Sequence, residues 1–283
     1  MGSRPRARIA ALAIGIFVLL GAVAALALMY SGWYSVAATE QHLRPTFRAL
    51  DIGLRRSVEH HARGIAVPPL DAPAQRERGL ACFKDHCAQC HGAPGVARAE
   101  FAKGLLPVPS SLSQAAHDWL PAELYWITRH GIKMTGMPAW GYRLDDEALW
   151  SIVAFLQVLP ELGPPQYARL VRSTKPSQCG TREAEPAGAV EGDPQRGRAA
   201  IQQYACTACH RIPGIVGPAS HTGPELSAMG KRKFIAGVLP NNPENMVLWL
   251  RAPQTVSPQS AMPDTGLNEA DARDIAAYLA LLR

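Results

Sequence analysis

Nowhere in this 283-residue chain do basic residues alternate with aromatics, and that absence excludes the first partner its charge suggests. A formal net charge of +6 suits nucleic acid, anionic lipid or an acidic protein. Without a basic stripe carrying stacking side chains, no nucleic acid is expected. The excess is partly local, since Arg4, Arg6, Arg8 and Arg44 flank one apolar run. Long apolar runs are also scarce. Ile9 to Tyr30 is the single uncharged one, so the chain has material for one membrane span and not two. Chain breakers abound: 24 glycines and 24 prolines point to loop-rich domains rather than long regular sheets, and the length suits two of them.

As a helix, the apolar run spans roughly 33 Å, enough for the hydrocarbon core. The apolar region of a secretory signal is only about 7–15 residues long. An A-x-A site at Ala25 to Ala27 falls inside the run, so an uncleaved anchor is expected. Arginines before it and Glu40 after it place the N-terminus in the cytoplasm. Tyr30, Trp33 and Tyr34 suit the outer interface. The expectation is a single-pass protein of the cytoplasmic (inner) membrane, with everything from about residue 35 on the periplasmic or outer side.

Cysteine is rare, at six residues, and four of the six fall in two copies of one pattern. "HCAQCH" holds Cys87, Cys90 and His91, and "ACTACH" holds Cys206, Cys209 and His210. Cys-x-x-Cys-His is the signature of covalent c-type haem attachment. Two thiols one helical turn apart can each form a thioether with a porphyrin vinyl group, and the adjacent histidine supplies a nitrogen to the iron. A zinc or redox Cys-x-x-Cys is the alternative, but two copies in an exported chain favour two covalently bound haem c groups. Each haem then needs a second axial ligand or an open position. Met137 and Met262 are each followed by proline, which holds the preceding residue extended and projects a thioether from a loop. The expected iron ligands are therefore His91 with Met137, and His210 with Met262. Met134 competes with Met137 but lacks the proline; His117, His130 and His221 are further alternatives.

With these motifs in place, each half resembles a class I cytochrome c, and the resemblance implies an all-α fold: an N-terminal transmembrane helix followed by two tandem class I cytochrome c domains. In that family a glycine lets the N-terminal helix cross closely over the C-terminal one. Gly79 with Phe83, and Gly197 with Ile201, match it. The C-terminal helices are "DDEALWSIVAFLQVL", with Trp150, Ile152, Val153, Leu156 and Leu159 at helical spacing, and "NEADARDIAAYLALL". Asp145 or Asp146 can cap the first and Asn268 the second. The resemblance also implies a proline carbonyl that accepts the Nδ1 hydrogen of the histidine, here Pro109 (or Pro107) and Pro224. Trp140 and Tyr142 are expected along the haem edge or at a propionate, or else in the core. Residues 193–283 are similar to the cytochrome domain fused to subunit II of some haem–copper oxidases. The chain has no Cys, His and Met cluster for that subunit's dinuclear copper centre. The first half resembles membrane-anchored cytochromes c of respiratory bacteria.

Cys82 and Cys179 remain, either as a disulfide or as two separate thiols. His60 and His61 point to opposite sides of a helix, as on a solvated stalk. The expected organisation is tip and anchor 1–34, stalk 35–72 containing "RALDIGLRRSVEHHA" as an amphipathic helix lying near the membrane, cytochrome c domain one 73–162, breaker-rich linker 163–191 and cytochrome c domain two 192–283. Iron ligated by histidine and methionine suits one-electron cycling. The expected function is electron transfer in a respiratory chain, from a soluble cytochrome or quinol-oxidising complex to a terminal oxidase or other respiratory complex. The rivals are a dihaem enzyme of the peroxidase or thiosulfate-oxidising type, and the electron-accepting subunit of a periplasmic dehydrogenase.

Overall fold

A computed structural model describes residues 3–174, 179–180, 191–220 and 222–283, with side chains from residue 8 onward. His221, Pro176 and Pro186 lie outside the described residues. Helix α1 (Ser3–Ser31) contains the apolar run, and from Arg8 to Ser31 it is long and apolar enough to cross a membrane, with none of it buried. The connector after it doubles back, so that the Tyr34 hydroxyl lies 2.7 Å from Nδ1 of His42.

Helix α2 (Arg44–Ala62) follows, and it is not a free stalk. Its C-terminal half packs on α6 (Pro121–His130), burying Val58 completely and leaving Ala62 only 6% exposed. His61 stacks on Trp126 with ring centroids 5.3 Å apart, and the Arg55 guanidinium lies 5.0 Å over the Trp119 ring. Just beyond α2, Ile65 and Leu70 pack against the core of domain one.

Domain one is built on the crossing of α3 (Pro73–Cys82) with α7 (Asp146–Val158). A Cβ at Gly79 would lie 1.9 Å from the carbonyl oxygen of Ser151, so only glycine allows this approach. One turn on, Phe83 is buried against Phe155 (centroids 5.2 Å apart). Ile152, Val153, Leu156 and Leu159 are buried as their spacing predicts, whereas Trp150 sits on the flank of α7, stacked on Tyr125 at 4.2 Å. Asp145 caps α7 by accepting from the Ala148 N–H. The short helices α4 (Ala88–His91) and α5 (Ala115–Asp118) lie between α3 and α6.

The stretch expected as linker begins with structure. Helix α8 (Pro164–Ser173) buries Tyr167 to 3% exposure, edge-on to Phe83. Pro164 and Pro165 initiate this helix, because a first-turn proline forfeits no intrahelical hydrogen bond. A disulfide between Cys82 and Cys179 ties the chain beyond α8 back to the core. It closes a loop with a sequence separation of 97, for which the chain-entropy model gives about 4–5 kcal/mol, with measured values typically 2–4. Cys179→Ser is expected to lower the stability of domain one by about 2–4 kcal/mol in denaturant unfolding, with domain two unaffected.

Domain two repeats the plan. Helix α9 (Pro194–Gln203) crosses α12 (Glu269–Leu281) at Gly197, where a Cβ would meet the carbonyl oxygen of Asp274 at 1.9 Å. Ile201 is buried one turn later. The hairpin of β1 (Phe234–Ile235) and β2 (Leu239–Pro240), α10 (Pro243–Arg251) and the short α11 (Pro253–Val256) complete the core between them. Asn268 caps α12 by accepting from the Asp271 N–H, and its amide donates to the Asp271 carboxylate. Asn268→Ala is expected to cost about 1–2 kcal/mol, read as an earlier denaturation midpoint of domain two alone.

Candidate cofactor sites

In domain one the helix does not stop before the cysteines. The backbone widens through a π-helical turn, Phe83–Cys87, and continues directly into α4. Cys87, Cys90 and His91 therefore share one helical run, ended by Gly92 at φ 71°. Domain two has one more residue between its crossing glycine and its motif, and it accommodates that residue differently. Ala205 adopts a left-handed conformation at φ 53°, which breaks α9 before Cys206.

Both histidines are held through Nδ1. Nδ1 of His210 lies 2.8 Å from the carbonyl oxygen of Pro224. Nδ1 of His91 lies 2.7 Å from the carbonyl of Ser110, not Pro109. The reason for this correction is local: the Arg98 guanidinium donates to the Pro109 carbonyl, and the ring meets the next carbonyl along the chain. In each case a carbonyl acceptor fixes the tautomer with hydrogen on Nδ1 and leaves the Nε2 lone pair free for a metal. Burial holds the His91 pKa below the usual imidazole value, against the opposing effect of the Ser110 bond, and so favours this neutral form.

Backbone fits closely around the second imidazole. A Cβ at Gly223 would lie 2.5 Å from Cε1 of His210, so the 223–224 segment forms a wall that only glycine permits there. The N–H of Gly223 donates to the Cys209 carbonyl and that of Leu226 to the Arg211 carbonyl, which stitches this wall to the motif.

The methionines also separate. Met134, the competitor, is 94% exposed at φ 60°. Met137 is half-buried, its carbonyl accepting from the Ile132 N–H and its N–H donating to the Thr135 hydroxyl. Met262 is half-buried against the core of domain two, its carbonyl bonded by the Gln254 amide. Three residues on, the Thr265 hydroxyl is buried with no hydrogen-bond partner. Trp140 and Tyr142 form one short turn; both are half-buried, and Trp140 packs on the core with its ring 5.0 Å from that of His86. His117 is exposed. His130 lies against Trp126 on the far side of α6, its ring 5.1 Å from the indole, rather than bonding a loop carbonyl.

The chemistry of these donors can be weighed against the alternatives. Burial, with a smaller contribution from Cys90, pushes the Cys87 thiol up to about 12, and burial also raises Cys206. A redox Cys-x-x-Cys needs the opposite, a thiol pKa lowered toward neutrality. Zinc needs four ligands, and among the described residues no group of three His, Cys, Asp or Glu side chains could hold a metal ion. A c-type haem fits both sites: paired cysteines for its vinyl groups, an imidazole positioned through Nδ1, and a half-buried methionine on a following loop. At the second site a haem carboxylate would also give the Thr265 hydroxyl an acceptor. Of the residues at these sites, the sequence had pointed to neither Ser110, Gly223 nor Thr265. Gly223 was readable as the residue before Pro224, but nothing in "PVPSSL" distinguishes one carbonyl from the next.

Two family models match the chain. Residues 74–156 match "Cytochrome C oxidase, cbb3-type, subunit III", and residues 194–283 match "Cytochrome c". Among curated relatives, cytochrome c oxidase subunit 2 of Alkalihalophilus pseudofirmus is 35% identical over 89 residues, 31% of this chain and 25% of the relative. Dihydro-heme d1 dehydrogenase of Pseudomonas aeruginosa is 30% identical over 135 residues, 47% of this chain and 25% of the relative. The cbb3-type cytochrome c oxidase subunit FixPc of Rhizobium leguminosarum bv. viciae is 30% identical over 115 residues, 41% of this chain and 38% of the relative. The chain thus spans well under half the length of each. No solved structure matches significantly.

Proposed function

We propose that this chain, which carries two cytochrome c-type domains and with them two implied haem c sites, is a membrane-anchored dihaem carrier that passes single electrons along a respiratory chain. One observation carries the reading: the same site occurs twice, each time with an imidazole fixed through Nδ1 and a half-buried methionine on a following loop. Cys87 and Cys90, and Cys206 and Cys209, would hold the haems covalently; His91 with Met137, and His210 with Met262, would ligate the iron. When bound, the haem supplies an iron that cycles between ferrous and ferric, and methionine ligation raises its potential. With both donors in place the protein would position that iron and occupy its coordination positions. Such a site carries electrons and does not bind substrate.

The acceptor in this reading is a haem–copper terminal oxidase or another respiratory complex, and the donor a soluble cytochrome or a quinol-oxidising complex. Similarity to two oxidase subunits supports the first assignment. Similarity to a protein named as a dehydrogenase, over nearly half the chain, supports a second, in which the domains accept electrons from a dehydrogenase. Helix α1 anchors the chain in the cytoplasmic membrane and the two domains lie on its periplasmic or outer face. The test is the optical spectrum of the reduced protein before and after carbon monoxide. No change at either haem, together with a methionine–iron band near the red end when oxidised, is expected. Binding of carbon monoxide by the undamaged protein overturns the carrier reading in favour of an enzyme.

A further inference from the structure

Helix α2 carries one apolar stripe that meets two different surroundings. Phe47, Leu50, Leu54, Val58 and Ala62 recur at spacings of three and four, so they lie on one face. At the C-terminal end that face is covered by α6, with Val58 at 0% and Ala62 at 6% exposure. At the N-terminal end it is bare, with Phe47 at 56% and Leu50 at 58% exposure, and Leu43 just before the helix at 64%. The helix overhangs domain one, and among the described residues nothing covers the overhang.

We propose that this overhang lies in the membrane interface, so that α2 is a bracket fixing the orientation of domain one on the bilayer. The proposal rests on reading α1 as the membrane anchor. The contact between Tyr34 and His42 selects lipid as the occupant. Tyr34 follows the apolar run by a few residues, where amphipathic rings settle at the headgroup level. Its hydroxyl lies 2.7 Å from His42, so α2 starts at the membrane boundary rather than a full connector length above it. Leu50 lies six residues beyond Arg44, where α2 begins, so at a rise of about 1.5 Å per residue it is within roughly 9 Å of the start of the helix whatever its tilt. An interfacial helix sinks its apolar face about 5–10 Å into the headgroup and acyl boundary. Arg44 and Arg48 flank the bare stripe and match anionic headgroups in charge. The other half of the helix is held by the stacking of His61 on Trp126 and of Arg55 on Trp119. Domain one is therefore held against the surface and does not swing on a flexible stalk.

The experiment uses the full haem-loaded chain in vesicles of phosphatidylcholine and phosphatidylglycerol, with single nitroxide labels at Phe47→Cys, Leu50→Cys, Ala49→Cys and Leu20→Cys. Collision with oxygen, which partitions into lipid, is compared with collision with a water-soluble nickel chelate. Oxygen is expected to exceed the chelate several-fold at 47 and 50, with the order reversed at 49 on the opposite face. Labels at 47 and 50 that behave like 49, while 20 is shielded from the chelate, overturn the bracket and leave the anchor. A label at 20 open to the chelate overturns the anchor reading and the bracket with it. Labels at 47 and 50 reached by neither reagent place protein over the stripe and also overturn the proposal.

Discussion

Gly197→Val is expected to halve the methionine–iron absorption of the oxidised protein, because domain two no longer folds while its haem stays covalently attached. The α9–α12 crossing brings the carbonyl oxygen of Asp274 to 1.9 Å from where a Cβ would stand, so a branched side chain cannot be absorbed by a rotamer change. The helices must separate, and the packing of Ile201 and Ile275 between them is lost. Overpacking usually costs about 1–3 kcal/mol, but here the obstacle is backbone on both sides and the whole crossing is at stake. A domain of this size has only about 5–15 kcal/mol in reserve, and although thioether bonds keep the haem attached, an unfolded domain no longer holds Met262 against the iron. Domain one has its own crossing at Gly79 and its own core, so its methionine–iron absorption is expected to stay. The near-red absorption of the oxidised protein per haem, with haem content fixed by pyridine haemochrome, gives the answer directly. Absorption equal to the parent's would show that the crossing does not hold domain two together.

The second large effect is expected at Met262. Met262→Ala removes the thioether proposed as the sixth ligand while leaving His210 fixed by the Pro224 carbonyl. One iron of the two then becomes open. The reduced variant is expected to bind one carbon monoxide per chain, where the parent binds none, and the potential of that haem falls as the methionine contribution is lost. Domain one serves as an internal control, because Met137 is untouched. A variant that still refuses carbon monoxide would show that another group ligates the iron, and the potential measurement would show whether its chemistry differs. Met134, at 94% exposure, gives no comparable effect when replaced.

The crossing glycines were legible only through the resemblance to class I cytochromes c. The capping residues and the buried faces of α7 and α12 were legible in the sequence because each rests on one local rule: an Asp or Asn before an apolar-periodic run, and helical spacing, survive without knowledge of the partner. Most of the site was legible for the same reason, since Cys-x-x-Cys-His places its own groups. Ser110 was not, because which carbonyl meets His91 depends on where Arg98 goes, eleven residues away from Pro109. The docking of α2 was hidden in a similar way. Trp119 and Trp126 look like ordinary aromatics, and only the tertiary fold brings them under Arg55 and His61. Helix α8 was missed because four prolines read as breakers, although two of them stand in the first turn of a helix.

The Cys82–Cys179 bond also sets a length. With residue 179 pinned to the core of domain one, the chain that joins the two domains runs from Gly180 to the start of α9 at Pro194. Covalent geometry then caps the separation of those two points at roughly 50 Å. A connection that short keeps each domain at an effective concentration on the order of millimolar around the other. Under the electron-carrier proposal, exchange between the two sites of one chain is expected to outpace exchange between chains.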